Sequence, residues 1–314
     1  MTSAPVRWVD TPQTTGVLPA FRVGDVTVHP LRELDYLPLP EEFFPQTAAQ
    51  PWDPDAWYAR EPHVTGGRLR LNQQAHLLAT PSGWVLVDTG GGNGKDRRNP
   101  AFHQQRRPWL EQLGLLGIGP QDIDLVVLTH VHVDHVGFAT RPDGAGGWAP
   151  TFPRARYVLA RDEYAFWTGP QARPLLERTG DYVADSVVPL HEAGVLDLVT
   201  GPVDVTPEIR VVPAPGHTPG NTYLEVRSAG ERALFVGDML HHAVQLARPA
   251  WSTRYCVSDA DAAAQRLAVL DEVADTPTLL VAAHLPFPTA GRVRREGDGF
   301  RIELVALEQD GGGA

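Results

Sequence analysis

Four apolar runs of this chain each stop at a side chain able to hold a metal ion: "DLVVLTH" reaches His130, "RVVPAPGH" His217, "ALFVGD" Asp238 and "LLVAAH" His284. Runs of this length, bounded by Gly, Pro and Asp, read as buried strands. In a layered α/β fold the C-terminal ends of strands gather along one edge, and ligands bind in the crevice beyond them. Such a chain is constrained to carry residues distant in sequence to a common edge.

The densest of these endings is "THVHVDH", residues 129–135. In extended chain, side chains alternate between two faces, so His130, His132 and Asp134 would share one side while Val131 and Val133 face the core. His135 breaks the alternation, which predicts that the chain turns there and sends neighbouring side chains toward two different places. Two adjacent metal ions would use that divergence. Cys256 is the only cysteine; it reads as a small buried group, and the metal donors must be imidazoles and carboxylates, which suit zinc.

Composition narrows the partners. With 27 Lys plus Arg against 38 Asp plus Glu, the formal net charge is −11, the wrong sign for a phosphate backbone or an anionic membrane. The opening residues show no apolar signal segment and no run is long enough to span a membrane, so the expectation is a cytoplasmic protein acting on a small molecule. The 314 residues are read as a single domain, with 31–64, rich in Pro and aromatics, as an N-terminal loop or cap and 309–314 as a loose tail.

Short strands are expected in 17–30 and 68–89, a helix over 99–119, and a strand then a helix over 151–169. A further helix is expected over 184–194 and a closing strand over 299–307. The clearest helix is 258–276, with Ser258 or Asp259 as N-cap and Ala263, Leu267 and Leu270 as its apolar face.

"THVHVDH", "PGHTPGN", "FVGD" and "AAH", preceded by "VLVDTG", occur in the order found in the metallo-β-lactamase-fold hydrolases, which the chain resembles over roughly residues 65–305. The resemblance implies an α/β fold, a four-layer αβ/βα sandwich, with two divalent metal ions, zinc foremost, at one edge. By motif position, His130, His132 and His217 would hold the first ion, and Asp134, His135 and His284 the second. Asp238 would bridge them. Asp88, after "VLV", is either a supporting partner of an imidazole ligand or a simple turn carboxylate. His63, His76, His103 and His191 lack such context and read as core or surface histidines.

Hydrolysis by a metal-bridging hydroxide is the implied reaction, with Asp134 orienting it and passing its proton on. Lactonases of this family carry a tyrosine three positions after the bridging aspartate. Here "GDMLHHAVQ" places His241 there, as in methyl parathion hydrolase and its relatives, and His241 either lines the pocket or packs beside it. The aromatics Phe43, Phe44, Trp52, Trp57, Tyr58, Tyr164, Phe166 and Trp167 either wall an apolar pocket or pack the cap. A small neutral ester or lactone is the expected substrate; an organophosphate triester, a glyoxalase-type thioester and mononuclear iron dioxygenase chemistry are the alternatives. A homodimer is compatible with the apolar cap.

Overall fold

The computed structural model describes residues 7–10 and 18–305. Two sheets face each other. The first runs Arg7–Asp10, Val26–Leu37, Leu71–Thr80, Gly83–Val87, Ile123–Val127, Arg156–Ala160 and Leu196–Val199, with Phe21–Val23 paired to the side of Val26–Leu37. The second runs Val203–Asp204, Ile209–Pro213, Thr222–Ser228, Glu231–Phe235, Leu279–Val281, Ala290–Glu296 and Gly299–Leu304.

Period-two alternation explains the layering. Val85, Val87, Leu125 and Val127 of the first sheet meet Ala233, Phe235, Leu279 and Val281 of the second in one core. The intervening Leu86, Val126 and Leu128 face outward onto Trp109, Trp167, Val187 and Leu190, which come from the loops and helices covering that side. Leu234, Val236 and Leu280 likewise face outward onto Val269, Leu270 and Val273 of the Asp259–Val273 helix. Each sheet is thus buried on both faces, giving helix, sheet, sheet, helix: the four-layer αβ/βα sandwich expected.

Parallel pairing sets the edge. Gly83–Val87 runs parallel to Ile123–Val127, and Glu231–Phe235 parallel to Leu279–Val281. Asp88, His130, Asp238 and His284 therefore all follow strand C-termini.

Several expectations are corrected. The strand Val26–Leu37 continues to Leu37, so the first seven residues of the expected 31–64 cap belong to the sheet, paired with Leu71–Thr80; its apolar positions pack while Arg32 and Asp35 pair with each other. The expected helix over 99–119 is reduced to Glu111–Gly114, because Pro100 and Pro108 interrupt it and side-chain bonds such as Asn93 to Arg107 hold the rest as a loop. Residues 184–194 are divided between Tyr182–Ser186 and Val188–Glu192, with Pro189 in the first turn of the second helix. The Asp259–Val273 helix buries Ala262, Arg266, Val269, Leu270 and Val273, and leaves Leu267 45% exposed. Its face is rotated because Arg266 enters the protein to donate to the carbonyls of Met239 and Trp251, a pattern that apolar periodicity cannot register. Tail residues 309–314 lie outside the described residues.

Candidate metal centre

The donor cluster assembles where the two sheets meet. His130, His132, Asp134 and His135 follow the Ile123–Val127 strand of the first sheet, and His217, Asp238 and His284 follow Ile209–Pro213, Glu231–Phe235 and Leu279–Val281 of the second. The chain turns earlier than the alternation predicts. Val131 enters the core, but residues 133–135 form a turn in which the His135 amide donates to the His132 carbonyl at 3.0 Å, and Val133 is only half-buried.

One donor atom from each of His130, His132, His217 and Asp238 lies within 4.8 Å of the others, and the same holds for Asp134, His135 and His284. Asp238 is shared between the groups. Its Oδ2 lies 3.1 Å from His217 Nε2 and 3.5 Å from His130 Nε2, while Oδ1 lies 2.9 Å from His284 Nε2 and 3.1 Å from His135 Nε2. Asp134 Oδ2 stands 3.7 Å from His284 Nε2 and 3.8 Å from His135 Nε2.

The opposite ring nitrogens are held from outside. His135 Nδ1 meets Asp88 Oδ2 at 2.9 Å, His284 Nδ1 meets the Asn72 carbonyl at 2.8 Å, His130 Nδ1 meets Thr129 Oγ1 at 3.0 Å and His217 Nδ1 meets Cys256 Sγ at 3.4 Å. Such partners fix the ring orientation and tautomer of metal-binding imidazoles. Asp88, one of the two readings left open, therefore contacts a candidate ligand. It also accepts from the Thr129 amide at 2.8 Å, and its own φ of 62° places it in the left-handed region, a conformation Asp tolerates better than most residues.

Electrostatics favour a cation here. Burial, reinforced by neighbouring imidazoles, drives His130 and His132 well below their ordinary 6.5, leaving them neutral and able to ligate. Burial acts the same way on His135, but the carboxylates of Asp238, Asp88 and Asp134 outweigh it and hold its pKa well above 6.5. Where these carboxylates face the rings they demand positive charge. The buried His135 Nε2 and Asp238 Oδ1 stand 3.1 Å apart, yet neither is set in a hydrogen bond, although buried polar atoms are seldom left so. The donor set and these two atoms fit a pair of divalent ions.

Above the cluster opens a cavity of about 130 Å³, lined at its base by His132, Asp134, Asp238, His241 and His284. Of the eight expected aromatics only Phe43 and Trp167 line it. Phe44, Trp52 and Tyr58 pack instead around His242 and Trp251, while Tyr164 and Phe166 pack against the core outside the first sheet. Much of the remaining wall comes from Tyr36, Leu71, Phe102, Leu175, Tyr182 and Tyr255, with Asn99, Arg178 and Thr179 as polar members, none of which a motif marked. His241 lies in the wall with Nε2 3.2 Å from Asp238 Oδ2; His242 turns away, its ring bonded to the His63 carbonyl.

The reading of sequence also missed Glu163 and Gln73. Glu163 bonds the backbone of both ligand loops, and Gln73 Nε2 donates to Asp134 Oδ2 at 3.1 Å. Gln73 sits in a strand whose residues are buried on both faces, and a polar side chain in such a run was the available signal.

Among proteins of known sequence, an N-acyl homoserine lactonase AiiB of Agrobacterium fabrum is 30% identical over 136 residues, covering 37% of this chain and 45% of that protein. An N-acyl homoserine lactonase of Bacillus thuringiensis is 25% identical over 185 residues, covering 54% of this chain and 65% of that one. The matched stretches thus span less than two thirds of those relatives. Among solved structures, AidC, described as a dizinc quorum-quenching lactonase, superposes with a TM-score of 0.75 at 21% identity over 92% of this chain and 98% of that one. AbOPH, a hydrolase in the β-lactamase superfamily, superposes at 0.76 and 24% over 94% and 100%; both show the shared fold. Residues 68–284 match the family model described as the metallo-beta-lactamase superfamily, and with the sandwich and its edge cluster in place, this chain belongs to that superfamily.

Proposed function

We propose that this protein is a dinuclear metal-dependent hydrolase that opens a small neutral lactone or ester. The observation that carries the reading is the sharing of Asp238: each carboxylate oxygen serves a different set of imidazoles at the floor of a largely apolar cavity. His130, His132 and His217 would hold one ion, and Asp134, His135 and His284 the other. Bound there, two divalent ions, zinc foremost, would supply an activated water as the bridging hydroxide and polarise the attacked carbonyl.

The chain's own residues account for the rest. Phe43, Leu71, Phe102 and Trp167 exclude water and accept apolar substituents. Asp134, steadied by Gln73, faces the cavity and is placed to take a proton from the attacking water and return it to the leaving oxygen. His241, kept neutral by burial, directs Nε2 to the same floor and would hold a substrate oxygen beside Asp238. No side-chain nucleophile is needed. The lactonase names of the relatives support a cyclic ester. A phosphotriester is the second reading, favoured by His241 at the position where the lactonase motif has tyrosine. The same proposal takes the protein as cytoplasmic and admits a homodimer; among the described residues no helix is long and apolar enough to cross a membrane.

The test is metal analysis followed by assay. Metal per chain is measured, then lactones of several ring sizes, aryl esters and phosphotriesters are assayed before chelation, after it, and after zinc is restored. Two ions per chain with chelator-sensitive lactone or ester hydrolysis is the expected result. Turnover of thioesters alone would overturn the substrate assignment, and absence of bound transition metal would overturn the mechanism.

A further inference from the structure

Glu163 is a fully buried carboxylate in the first turn of the Arg161–Thr168 helix. Three N–H groups converge on it. Oε1 accepts from the Val131 amide at 2.7 Å and from Trp167 Nε1 at 2.7 Å, and Oε2 accepts from the Gly220 amide at 2.8 Å. Val131 stands between His130 and His132. Gly220 stands three residues after His217. The two loops leave different sheets, yet one carboxylate is bonded to both.

The surroundings are shaped to this contact. A Cβ at Gly220 would lie 2.2 Å from the Glu163 backbone nitrogen, so only glycine lets the second loop approach the helix. The Trp167 ring stands edge-on to His132, centroids 5.4 Å apart, and lines the cavity. At the far end of the bridged loops, His132 Nδ1 and His217 Nε2 are 2.9 Å apart.

We propose that Glu163 is a positioning residue that clasps the two ligand loops and so sets the separation of His132 and His217. This rests on the metal-site reading above. A carboxylate suits the task because both of its oxygens accept N–H bonds. An amide could not replace it, since its NH₂ group would face an N–H donor.

The test uses the full chain carrying Glu163→Gln, with Gly220→Ala as a second variant that strains the same contact from the opposite loop and leaves the carboxylate in place. Zinc affinity is read by competition with a chromogenic chelator, and amide hydrogen exchange is followed by mass spectrometry on the metal-free proteins. Zinc binding weaker by about 10–100-fold, with faster exchange over 129–135 and 215–221 and unchanged exchange in the Asp259–Val273 helix, is the expected result. A folded Glu163→Gln protein with wild-type zinc affinity overturns the proposal, whether exchange is unchanged or faster throughout. Should Glu163→Gln fail to fold, Gly220→Ala decides by the same criteria. If the wild-type chain binds no zinc, the metal-site reading fails, and the exchange of the two loops alone decides whether the clasp exists.

Discussion

The imidazoles of His241 and His284 lie parallel, with centroids 5.1 Å apart and 9° between their planes. A ring belonging to no ligand trio of the family pattern is thereby held against one that does. Burial, against the pull of Asp238, pushes the His241 pKa down to about 3, so the ring is neutral at pH 7 and can donate a hydrogen bond. Substituting His241→Ala should lower kcat/KM by about 10²–10³-fold, the cost of losing one donor to a developing oxyanion, while two metal ions per chain are retained. Steady-state kinetics with metal analysis on the same preparation checks both parts. Loss of an ion would make His241 a ligand instead.

Asp238→Ala should be the most damaging single change at the centre. It removes the carboxylate that faces both imidazole sets and leaves His130 and His217 without the carboxylate oxygen they face. Metal content should fall below two ions per chain and hydrolysis should drop by more than the about 10–100-fold that loss of an outer partner costs, measured by elemental analysis and initial rates.

Asp88→Asn isolates the role of charge behind His135. Asn tolerates the left-handed φ at this position and can still accept from Thr129, but it presents a neutral group to His135 Nδ1. Affinity for the ion on the His135 side should fall by about 10–100-fold with little change in secondary structure, read by stepwise chelator competition and circular dichroism.

His76 gives a pH prediction away from the ligands. It packs against Phe235, and burial pushes its pKa from 6.5 to about 3. The unfolded chain therefore takes up a proton below pH 6.5 that the folded chain does not, so stability falls as pH drops from 6.5 toward 3. Between pH 7 and 5 this one group should cost about 2 kcal/mol. Denaturant unfolding of chelated wild type and His76→Leu at both pH values checks it, the variant showing a shallower loss.

Ser258→Ala tests the start of the Asp259–Val273 helix. The Ser258 side chain accepts from the Asp261 amide, and its removal should cost about 1 kcal/mol without changing metal content, as measured by urea denaturation.

The legible parts of this protein were those written in local pattern. Leu125 to His130 shows an apolar run, its alternation and a donor at its end within six residues, so both the strand and its place at an edge could be read. The wall of the cavity was not legible, because Tyr36, Leu71 and Tyr255 come from a sheet strand, a second strand and a loop, and none stands out from ordinary core or surface residues. Arg266 misled the helix face for a related reason: its partners are the carbonyls of Met239 and Trp251, whose positions exist only in three dimensions. Glu163 looked like one more acidic residue in a helix's first turn until the Val131 and Gly220 amides were found converging on it.

Because the donors come from two sheets, the chain can be thought of as two incomplete halves. A fragment ending near residue 200 carries His130, His132, Asp134 and His135, and its complement carries His217, Asp238 and His284. Neither fragment alone offers a closed trio joined by a bridging carboxylate. On the proposed ligand assignment, ion capture would double as a report on whether the halves have docked, and a bound ion would fasten the sandwich across its own interface as a rivet fastens two plates.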